Sequence, residues 1–527
     1  MVARMAIPLA VLAAMLALAS AVSTPARPAG ECINNDLFSG ANSGAFPSQF
    51  QIISASGATT APTYTKVTIA QEFEVSYYST YKVVYNKRAN ETYVLVPCGL
   101  TAPAADNLPA GAKVFEVPLV SASVSDTSVV AFMNSLGVLT RVRNVTEYSV
   151  NSCMQSLGLY GCKRLDTSFS GLGADQLAAT DSFWGFSKSA KNPKAIAVTA
   201  VADPGVLNRA EWIKFVATFY NKEDVANEMF AATSQNYNNI KAAVAAAAKA
   251  DVTQRPLVAW LYYQPPNPDW GIYGREQIAI QFAAYMSEYA LAAGGRMLDL
   301  AQLNATVVDG KNVTLEGKNI VFYNMETAGA TLAAVLKDVD VAIDLTRYPN
   351  KRNADLTLQD FLTTFRLKAA DVQNVNFLRG GALLRVDVGA NPDGYTDWYE
   401  GAVAQPDLVL RDLASVITPA AVPANTAPRF VRNLLTQKPL VFEAQQCPLT
   451  NCQAEVKPIC PLIFKNCAGR VVYATAAQRC APDCTATQPG TNNGTGNLGT
   501  NAATSAVVAP AVVAAALLMA FLAMLLL

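Results

Sequence analysis

The chain has 527 residues, in which 40 Lys and Arg balance 40 Asp and Glu, and it has no histidine. Zero formal charge offers no broad basic surface for nucleic acid or anionic lipid. The lack of imidazole excludes a Ser-His-Asp triad, a Cys-His pair and a His-ligated zinc or copper site.

Residues 1–21 are predicted to form a secretory signal peptide. Arg4 precedes an apolar run over 5–18, and a small Ala-Ser-Ala triplet ends at Ala21, where we expect cleavage. The alternative, a first transmembrane helix, is disfavoured because the run is shorter than the ~20 residues that a span needs. The mature protein is therefore expected outside the cytoplasm.

Residues 32–112 are predicted to be a small β-rich region. Apolar and polar residues alternate in "VTIAQEFEVSYYSTYKVVYN" and "ETYVLVPCG", which is typical of short strands.

A first α/β lobe is predicted over 113–222, where strand and helix patterns follow one another. "KVFEVPLVSASV" predicts one buried strand, and "SDTSVVAFMNSLG" predicts a helix that Ser125 or Asp126 caps and Gly137 closes. "VLTRVRNV" and "KAIAVTAVADP" predict two further strands. Strands and helices in this order imply a parallel sheet with helices on its faces.

Two helices placed end to end are predicted in "LNRAEWIKFVATFYNKEDVANEMF". Trp212, Phe215 and Phe219 recur at helical spacing, so one face of the first helix should be buried. Asn221 interrupts the pattern, and acidic residues then favour a new helix over 223–250. That helix would be on the order of 40 Å long, enough to reach from one lobe to a second.

A second α/β lobe is predicted over 251–440. "RPLVAWLYY", "KNIVFYNM" and "VDVAIDLT" predict strands, while "GREQIAIQFAAYMSEYALAAGG", "TAGATLAAVLKD" and "QPDLVLRDLASVI" predict helices. The expected fold class is α/β: two parallel-sheet, Rossmann-like lobes joined by one long helix, with a small N-terminal β region and a C-terminal disulfide-rich appendix.

The C-terminal end is predicted to anchor the protein to a membrane. A Cys-rich appendix over 447–484 precedes a Thr/Asn/Gly-rich linker over 485–504 and an apolar tail over 505–527 with no basic residue behind it. This order is typical of a GPI attachment signal, and a single C-terminal transmembrane helix is the alternative. The candidate attachment sites are Asn493, Gly494, Gly496 and Asn497.

Cysteines and sequons agree with a glycoprotein in an oxidising compartment. Ten cysteines predict disulfides of undetermined connectivity, at Cys32, Cys98, Cys153, Cys162, Cys447, Cys452, Cys460, Cys467, Cys480 and Cys484. N-glycosylation is expected at the five sequons, which begin at Asn90, Asn144, Asn304, Asn312 and Asn493.

Several segments resemble, in order, the periplasmic-binding-protein-like receptors with a helical backbone. They are "FEVPLVSASVSDTSVVAFMNSLGVLTRV", "LNRAEWIKFVATFYNKEDVANEMF", "AAGGRML", "LKDVDVAIDLT" and "DWYEGAVAQPDLVLRDLASVITP". Bacterial members of that family deliver ferric siderophores, haem or cobalamin to importers. The resemblance spans about 113–435, and the order of the segments carries it rather than any single motif. The sequons, the Cys-rich appendix and the tail imply a eukaryotic, surface-anchored form, and a histidine often found where "VITPA" stands is absent.

The resemblance implies that ligand contacts come from loops at the strand ends that face the cleft between the lobes. In the first lobe these are Ser125, Asp126, Thr127 and Asp203. In the second lobe "YYQPPNPDWGIYG" offers aromatic rings for stacking and "IDLTRYPNKR" offers a guanidinium, which gives Tyr262, Tyr263, Trp270, Tyr273, Arg347 and Tyr348. The alternatives are that the aromatic loop packs on its own lobe and that Arg347 forms an exposed charge pair. Trp184 and Trp398 are expected in the core.

The resulting hypothesis is a non-catalytic cell-surface protein that captures an iron complex, or a related nutrient such as cobalamin or haem, between its lobes. No resident cofactor or protein-bound metal is predicted. The partners would be the small-molecule chelate, the membrane through the anchor, and a downstream transporter or reductase, with no nucleic acid. A surface adhesion or structural glycoprotein on the same scaffold is the alternative. An enzyme is disfavoured because no nucleophile setting is recognisable, although scattered carboxylates keep glycosidase chemistry open.

Overall fold

The computed structural model describes residues 64–447 and the strands 463–465 and 471–473. Within 64–447 the gaps are 79–80, 160–164, 166–171, 190–191, 267–274, 300–312, 317–318, 323, 349–350 and 425. The predicted signal peptide, linker and tail lie outside the described residues, as do most of the Cys-rich appendix and the sequons at Asn304, Asn312 and Asn493. Among the helices that are described, none is both long and apolar enough to cross a bilayer.

The N-terminal β region is a four-stranded sheet in the order β1-β2-β3-β4. Its strands are β1 (Phe73–Tyr77), β2 (Lys82–Asn86), β3 (Glu91–Pro97) and β4 (Lys113–Val117). The first three strands pair antiparallel, and β4 runs parallel to β3. Burial alternates along β2, because successive side chains of a strand point to opposite faces, and the buried positions include the polar Lys82 and Asn86.

The predicted single strand "KVFEVPLVSASV" is wrong, because the structure divides it between two sheets. Residues 113–117 form β4 of the N-terminal sheet, and 122–124 form a strand of the first lobe. Pro118 follows β4 directly, and proline has no N–H to donate to a sheet. Beyond it the backbone N–H of Leu119 donates to the carbonyl of Phe219 instead.

The first lobe has a fully parallel sheet, as predicted, and its strand order is β6-β5-β7-β8. Asp126 caps the first helix through the N–H of Ser128, and Gly137, with φ of 71°, follows its end. The elements are β5 (Ala122–Val124), α1 (Thr127–Ser135), β6 (Val142–Val145), α2 (Ser152–Leu159), α3 (Leu172–Ala178), β7 (Ser182–Gly185) and β8 (Ala195–Ala197).

The helical connection between the lobes consists of α4 (Val206–Ala210), α5 (Trp212–Thr218) and the 25-residue α6 (Glu223–Ala247). The predicted interruption is at Asn221, whose φ of 52° no helix can continue. The predicted long helix is confirmed to within about one turn. The N-terminal half of α6 places Phe230 in the core of the first lobe, and the C-terminal half places Tyr237 and Val244 in the core of the second.

The predicted buried face of the first helix is confirmed. Trp212, Phe215 and Phe219 are fully buried against Phe73 and Tyr93 of the N-terminal sheet. The centroids of the Phe73 and Trp212 rings are 4.8 Å apart, and those of Tyr93 and Phe219 are 5.6 Å apart. The N-terminal sheet and the first lobe therefore share one hydrophobic core.

The second lobe is built on a mixed sheet in the order β12-β13-β10-β9-β14-β15-β17, with β11 beside β9. Its strands are β9 (Leu257–Gln264), β10 (Gln277–Gln281), β11 (Arg296–Met297), β12 (Val313–Glu316), β13 (Asn319–Phe322), β14 (Val341–Asp344), β15 (Leu383–Arg385), β16 (Gly389–Ala390), β17 (Arg432–Asn433) and β18 (Leu440–Val441). Its helices are α7 (Ala284–Ala292), α8 (Met325–Val335), α9 (Leu358–Thr364), α10 (Asp371–Asn374), α11 (Asn376–Arg379) and α12 (Pro406–Ile417). In the mixed sheet the central strands β9, β11, β14 and β15 are parallel, whereas the outer strands β10, β12, β13 and β17 are antiparallel. Strands β16 and β18 form a separate two-stranded parallel sheet.

The helix predicted for "GREQIAIQFAAYMSEYALAAGG" is only half right. Residues 277–281 form β10, which pairs antiparallel with β9, and the helix α7 begins at Ala284. The apolar residues of "QIAIQ" fit the period of a helix or that of a strand, and pairing with β9 decides for the strand.

Two short strands of the appendix, β19 (Ile463–Lys465) and β20 (Val471–Tyr473), pair with each other.

Candidate functional site

The loop after β5 reaches the second lobe through Thr127. Its hydroxyl donates to the carbonyl of Tyr399 at 3.2 Å. Ser125 instead donates to the carbonyl of Trp184 at 2.9 Å. Asp126 caps α1, and burial raises the pKa of its carboxyl despite the hydrogen bonds from Ser128. Of the three predicted ligand residues in this loop, Thr127 lies at the boundary between the lobes.

The hydrogen bonds of Asp203 stabilise the fold. It is fully buried, and its carboxylate accepts hydrogen bonds from the backbone of Gln71 and Glu72 and from the indole N–H of Trp212 at 3.0 Å. These contacts hold the segment that leads into β1 against α5. They do not support the ligand role of Asp203, which stays a prediction.

Tyr262 and Tyr263 follow each other in β9 and therefore point to opposite faces of the sheet. Tyr262 packs against the core that contains α6 and α12. Tyr263 packs against the opposite core and donates to Glu276 at 2.9 Å. Burial, and then this hydrogen bond, raise the pKa of Tyr263 to about 12. Of the two tyrosines, only Tyr262 lies near Tyr399 and Arg347, which belong to the cluster described below.

Arg347 and Tyr348 likewise point in different directions. Arg347 is exposed, donates to the carbonyl of Asp393 at 3.1 Å and lies 4.4 Å above the ring of Tyr395. Tyr348 is buried in the second lobe, where its hydroxyl donates to Asp344 at 2.8 Å. Arg347 makes no ion pair with any described carboxylate, so the charge-pair alternative is not seen among these residues. The predicted Trp270 and Tyr273 lie outside the described residues.

A tyrosine cluster that sequence reasoning missed surrounds Arg347. The ring of Tyr148, which follows β6 of the first lobe, meets the ring of Tyr395 of the second lobe edge to face, with centroids 4.8 Å apart. Tyr148 lies after a parallel strand, so the rule that selected Thr127 could have found it. Tyr395 and Tyr399 lie in an irregular segment with no comparable signal. We call Thr127, Tyr148, Tyr262, Arg347, Tyr395 and Tyr399 the tyrosine cluster.

The electrostatics of the tyrosine cluster favour neutral phenols beside one cation. Burial raises the pKa of Tyr148 well above its usual value, an effect that Glu147 strengthens and Arg347 opposes. Burial also raises the pKa of Tyr262, next to Tyr399, and Arg347 again opposes the shift. At neutral pH the cluster therefore presents aromatic faces, hydroxyl groups and one guanidinium, which suit a planar ligand with anionic oxygens.

Next to the cluster, Glu400 joins the lobes from a buried position with 4% of its surface exposed. Its carboxylate accepts hydrogen bonds from Ser149 Oγ at 2.8 Å, from Val150 N at 2.8 Å and from Asn151 N at 3.0 Å. Burial, and then the neighbouring carboxylate of Asp397, raise the pKa of Glu400 to about 8. Nothing in the sequence distinguished this glutamate.

Trp184 and Trp398 are buried, which confirms that they are core residues.

A pocket between the lobes, beside α6, has room for about one water molecule, and its lining includes Thr233 and Gln405. Within the described ranges, no group of three or more Cys, Asp or Glu side chains is arranged to hold a metal ion.

No family model matches the sequence, and no curated protein matches it. Solved structures similar to this chain include a periplasmic heme-binding protein from Pseudomonas aeruginosa, with 15% identity, 60% of this chain and 100% of that chain covered, and a TM-score of 0.40. The CeuE protein from Helicobacter pylori, solved with Ni(II) bound, has 10% identity, coverage of 58% and 86%, and a TM-score of 0.37. The heme-binding protein RhuT from Roseiflexus has 14% identity, coverage of 57% and 99%, and a TM-score of 0.35. With TM-scores below 0.5, these similarities carry no conclusion about cargo, and the α/β class rests on the strand order given above.

Proposed function

We propose that the protein is a non-catalytic cell-surface receptor that captures an iron complex, or a related nutrient such as cobalamin or haem, at the tyrosine cluster. The observation that carries this proposal is the position of Arg347 among tyrosines from both lobes. Its guanidinium has no carboxylate partner among the described residues and is exposed, so it is available to an anionic ligand. Tyr148 and Tyr395 supply ring faces beside it.

The long helix suits this role. Because α6 is part of both hydrophobic cores, movement of one lobe against the other is expected to be small. A receptor of this kind holds its ligand mainly with groups whose positions change little on binding.

The cell-surface location is part of the same proposal. The Cys153–Cys447 disulfide and the bonded state of Cys98 agree with an oxidising compartment, and all three cysteines are among those predicted to form disulfides. The signal peptide, N-glycans and GPI anchor are proposed from the sequence. Release of the protein from intact cells by phosphatidylinositol-specific phospholipase C tests the anchor, and retention would favour a transmembrane tail.

The test of the receptor function is titration of the purified protein with a ferric siderophore, haemin and cobalamin while tryptophan fluorescence is followed. Trp398 directly precedes Tyr399 and is the natural reporter. Saturable quenching by one of these ligands is expected. No saturable response to any of them would contradict the proposal.

A surface adhesion or structural glycoprotein is the second candidate, and one observation favours it. The lobes meet through direct contacts at Thr127, Tyr148 and Glu400, so part of the boundary between the lobes is filled by protein. This candidate would be supported by cell aggregation that depends on the protein, together with no change of tryptophan fluorescence in the ligand titration.

A further inference from the structure

The first lobe carries one continuous strip, residues 148–156, that contacts the second lobe or the chain that follows it. We call this strip and its partners the lobe seam. Its first part pairs Tyr148 with Tyr395 and places Ser149 Oγ, Val150 N and Asn151 N on Glu400.

The second part of the lobe seam is covalent. Cys153 of α2 forms a disulfide with Cys447, with 4.9 Å between their Cα atoms. Ser156 donates to the carbonyls of Ala444 and Cys447 at 2.6 Å, and Gln155 donates to the carbonyl of Phe442 at 2.9 Å. This end of the lobe seam cannot separate while the disulfide is intact.

The non-covalent end depends on one ionisable group. Glu400 has no cation partner among the described residues, and its first-lobe contacts are two backbone N–H groups and a serine hydroxyl, all neutral. On its own side the carboxylate of Asp397, which is paired with Arg429, further disfavours a negative charge on Glu400. A charged Glu400 therefore lies in a buried place with no compensating positive charge, a costly situation.

A protonated Glu400 fits the same place without loss of hydrogen bonds. A carboxylic acid keeps acceptor capacity for Val150 N and Asn151 N. Its O–H can donate to Ser149 Oγ, since a hydroxyl rotates to accept as readily as to donate.

We propose that the lobe seam is a proton-controlled lock: with Glu400 protonated the lobes stay joined, and with Glu400 ionised the seam opens at its non-covalent end while the Cys153–Cys447 disulfide holds the other. An open seam exposes Glu400 to water, where its pKa returns to about 4.3. The raised pKa in the closed seam, about 8, means that the closed form binds the proton more tightly. The ratio of closed to open seam then falls about tenfold per pH unit between these values. The lock requires no cargo and does not rest on the proposed receptor function.

Hydrogen exchange of the backbone amides over 148–156 tests the lock in the full protein without cargo. Protection factors are measured between pH 5.5 and 9 and corrected for intrinsic exchange, with the amides of β5 as an internal reference. In the wild type the protection of Val150 and Asn151 is expected to fall steeply with pH, by as much as tenfold per unit up to about pH 8. In Glu400→Gln, which keeps an acceptor but cannot ionise, protection is expected to be independent of pH.

Glu326→Gln is the matched control, because Glu326 is an exposed carboxylate in α8 of the same lobe. It should reproduce the wild-type profile. Wild-type protection that does not change with pH would overturn the lock, as would a Glu400→Gln profile that follows the wild type. If Glu400→Gln fails to fold, the wild-type pH series still decides between a lock and a permanently closed seam.

Discussion

Lys82 of the N-terminal sheet and Glu223, the first residue of α6, form a buried ion pair with 2.5 Å between Nζ and Oε1. Lys82 also donates to the carbonyl of Thr218, the last residue of α5, and to the side chain of Asn221. The ammonium group thus lies at the C-terminal end of α5, where a positive charge is favourable for the helix dipole. It also pairs with the Glu223 carboxylate, whose negative charge is favourable at the N-terminus of α6. This pairing stabilises the interruption at Asn221, and it comes from a strand far away in the sequence.

Replacing Lys82 should destabilise the protein strongly. Burial lowers the pKa of Lys82 and raises that of Glu223, and each charge partly offsets the shift of the other. In Lys82→Met the carboxylate is left buried without its partner, so we expect a loss of about 3–5 kcal/mol in the free energy of unfolding by urea. Lys87→Met is the control, since the exposed Lys87–Glu74 pair should contribute no more than about 1 kcal/mol.

The double variant Lys82→Met/Glu223→Leu should recover part of that loss, because no charge is then buried alone. A double variant as unstable as Lys82→Met would show that packing rather than the unpaired carboxylate causes the effect.

The Cys153–Cys447 disulfide should contribute on the order of 5 kcal/mol to stability, because it closes a chain segment of 294 residues. Replacing both cysteines by serine avoids a free thiol. Thermal unfolding of this double variant should have a lower midpoint than that of the wild type. Full reduction of the variant with a dithiol should cause little further loss of stability at this site, because the disulfide is already gone. An unchanged midpoint would mean that the hydrogen bonds of Gln155 and Ser156 hold this end of the lobe seam by themselves.

Ionisation of Glu400 should make the whole protein less stable at alkaline pH. Its pKa is about 8 in the folded state and about 4.3 in the unfolded chain, so folding takes up a proton between these values. The stabilising contribution is complete below about pH 4 and is lost as the pH rises through about 8, at up to about 1.4 kcal/mol per unit. Urea unfolding at pH 6 and pH 9 measures it, and Glu400→Gln should reduce the difference between the two. An identical pH dependence in the variant would assign the effect to other groups.

Arg347→Ala should weaken cargo binding at least tenfold in the fluorescence titration, if the tyrosine cluster is the site. The side chain is exposed and, among the described residues, its one polar contact is the carbonyl of Asp393, so the unfolding midpoint should not change. Arg352→Ala is the control, because the side chain of Arg352 is 77% exposed and its one ion pair within the described part of the chain is with Asp355. Equal affinities in both variants would move the site away from Arg347.

Of the two described sequons, Asn90 should be glycosylated and Asn144 should not. Asn90 is exposed in the turn between β2 and β3, and its amide oxygen accepts from Tyr85. The side-chain nitrogen of Asn144, where a glycan would attach, donates to Ser123 at 3.1 Å, and Thr146 of its sequon is buried. Mass spectrometry after enzymatic deglycosylation in heavy water measures both sites. A fully occupied Asn144 would contradict these contacts.

The parts of the candidate site that sequence reasoning found lie near the carboxyl ends of parallel strands, Tyr262 within β9 and Thr127 and Arg347 shortly after β5 and β14. Thr127, Tyr262 and Arg347 were selected because polar and aromatic residues at the ends of parallel strands meet at one edge of a sheet. The same rule also selected Asp203, Tyr263 and Tyr348, since it does not say which way a side chain points. In β9 the alternation of faces separates Tyr262 from Tyr263, and only the position of the neighbouring lobe shows which face borders the cluster.

The sequence by itself determined the helices with strong local signals: α1 with a cap at Ser125 or Asp126, α6 after the interruption at Asn221, and α12, which begins at Pro406. These signals are local, because helix periodicity and caps involve residues within a few positions of each other. Tertiary structure alone decided that β4 joins the N-terminal sheet and that residues 277–281 form a strand, because strand pairing depends on a distant partner. Tertiary structure alone also decided the contacts of the lobe seam. Val150 and Glu400 are 250 positions apart in the sequence, and neither residue type predicts a contact with the other.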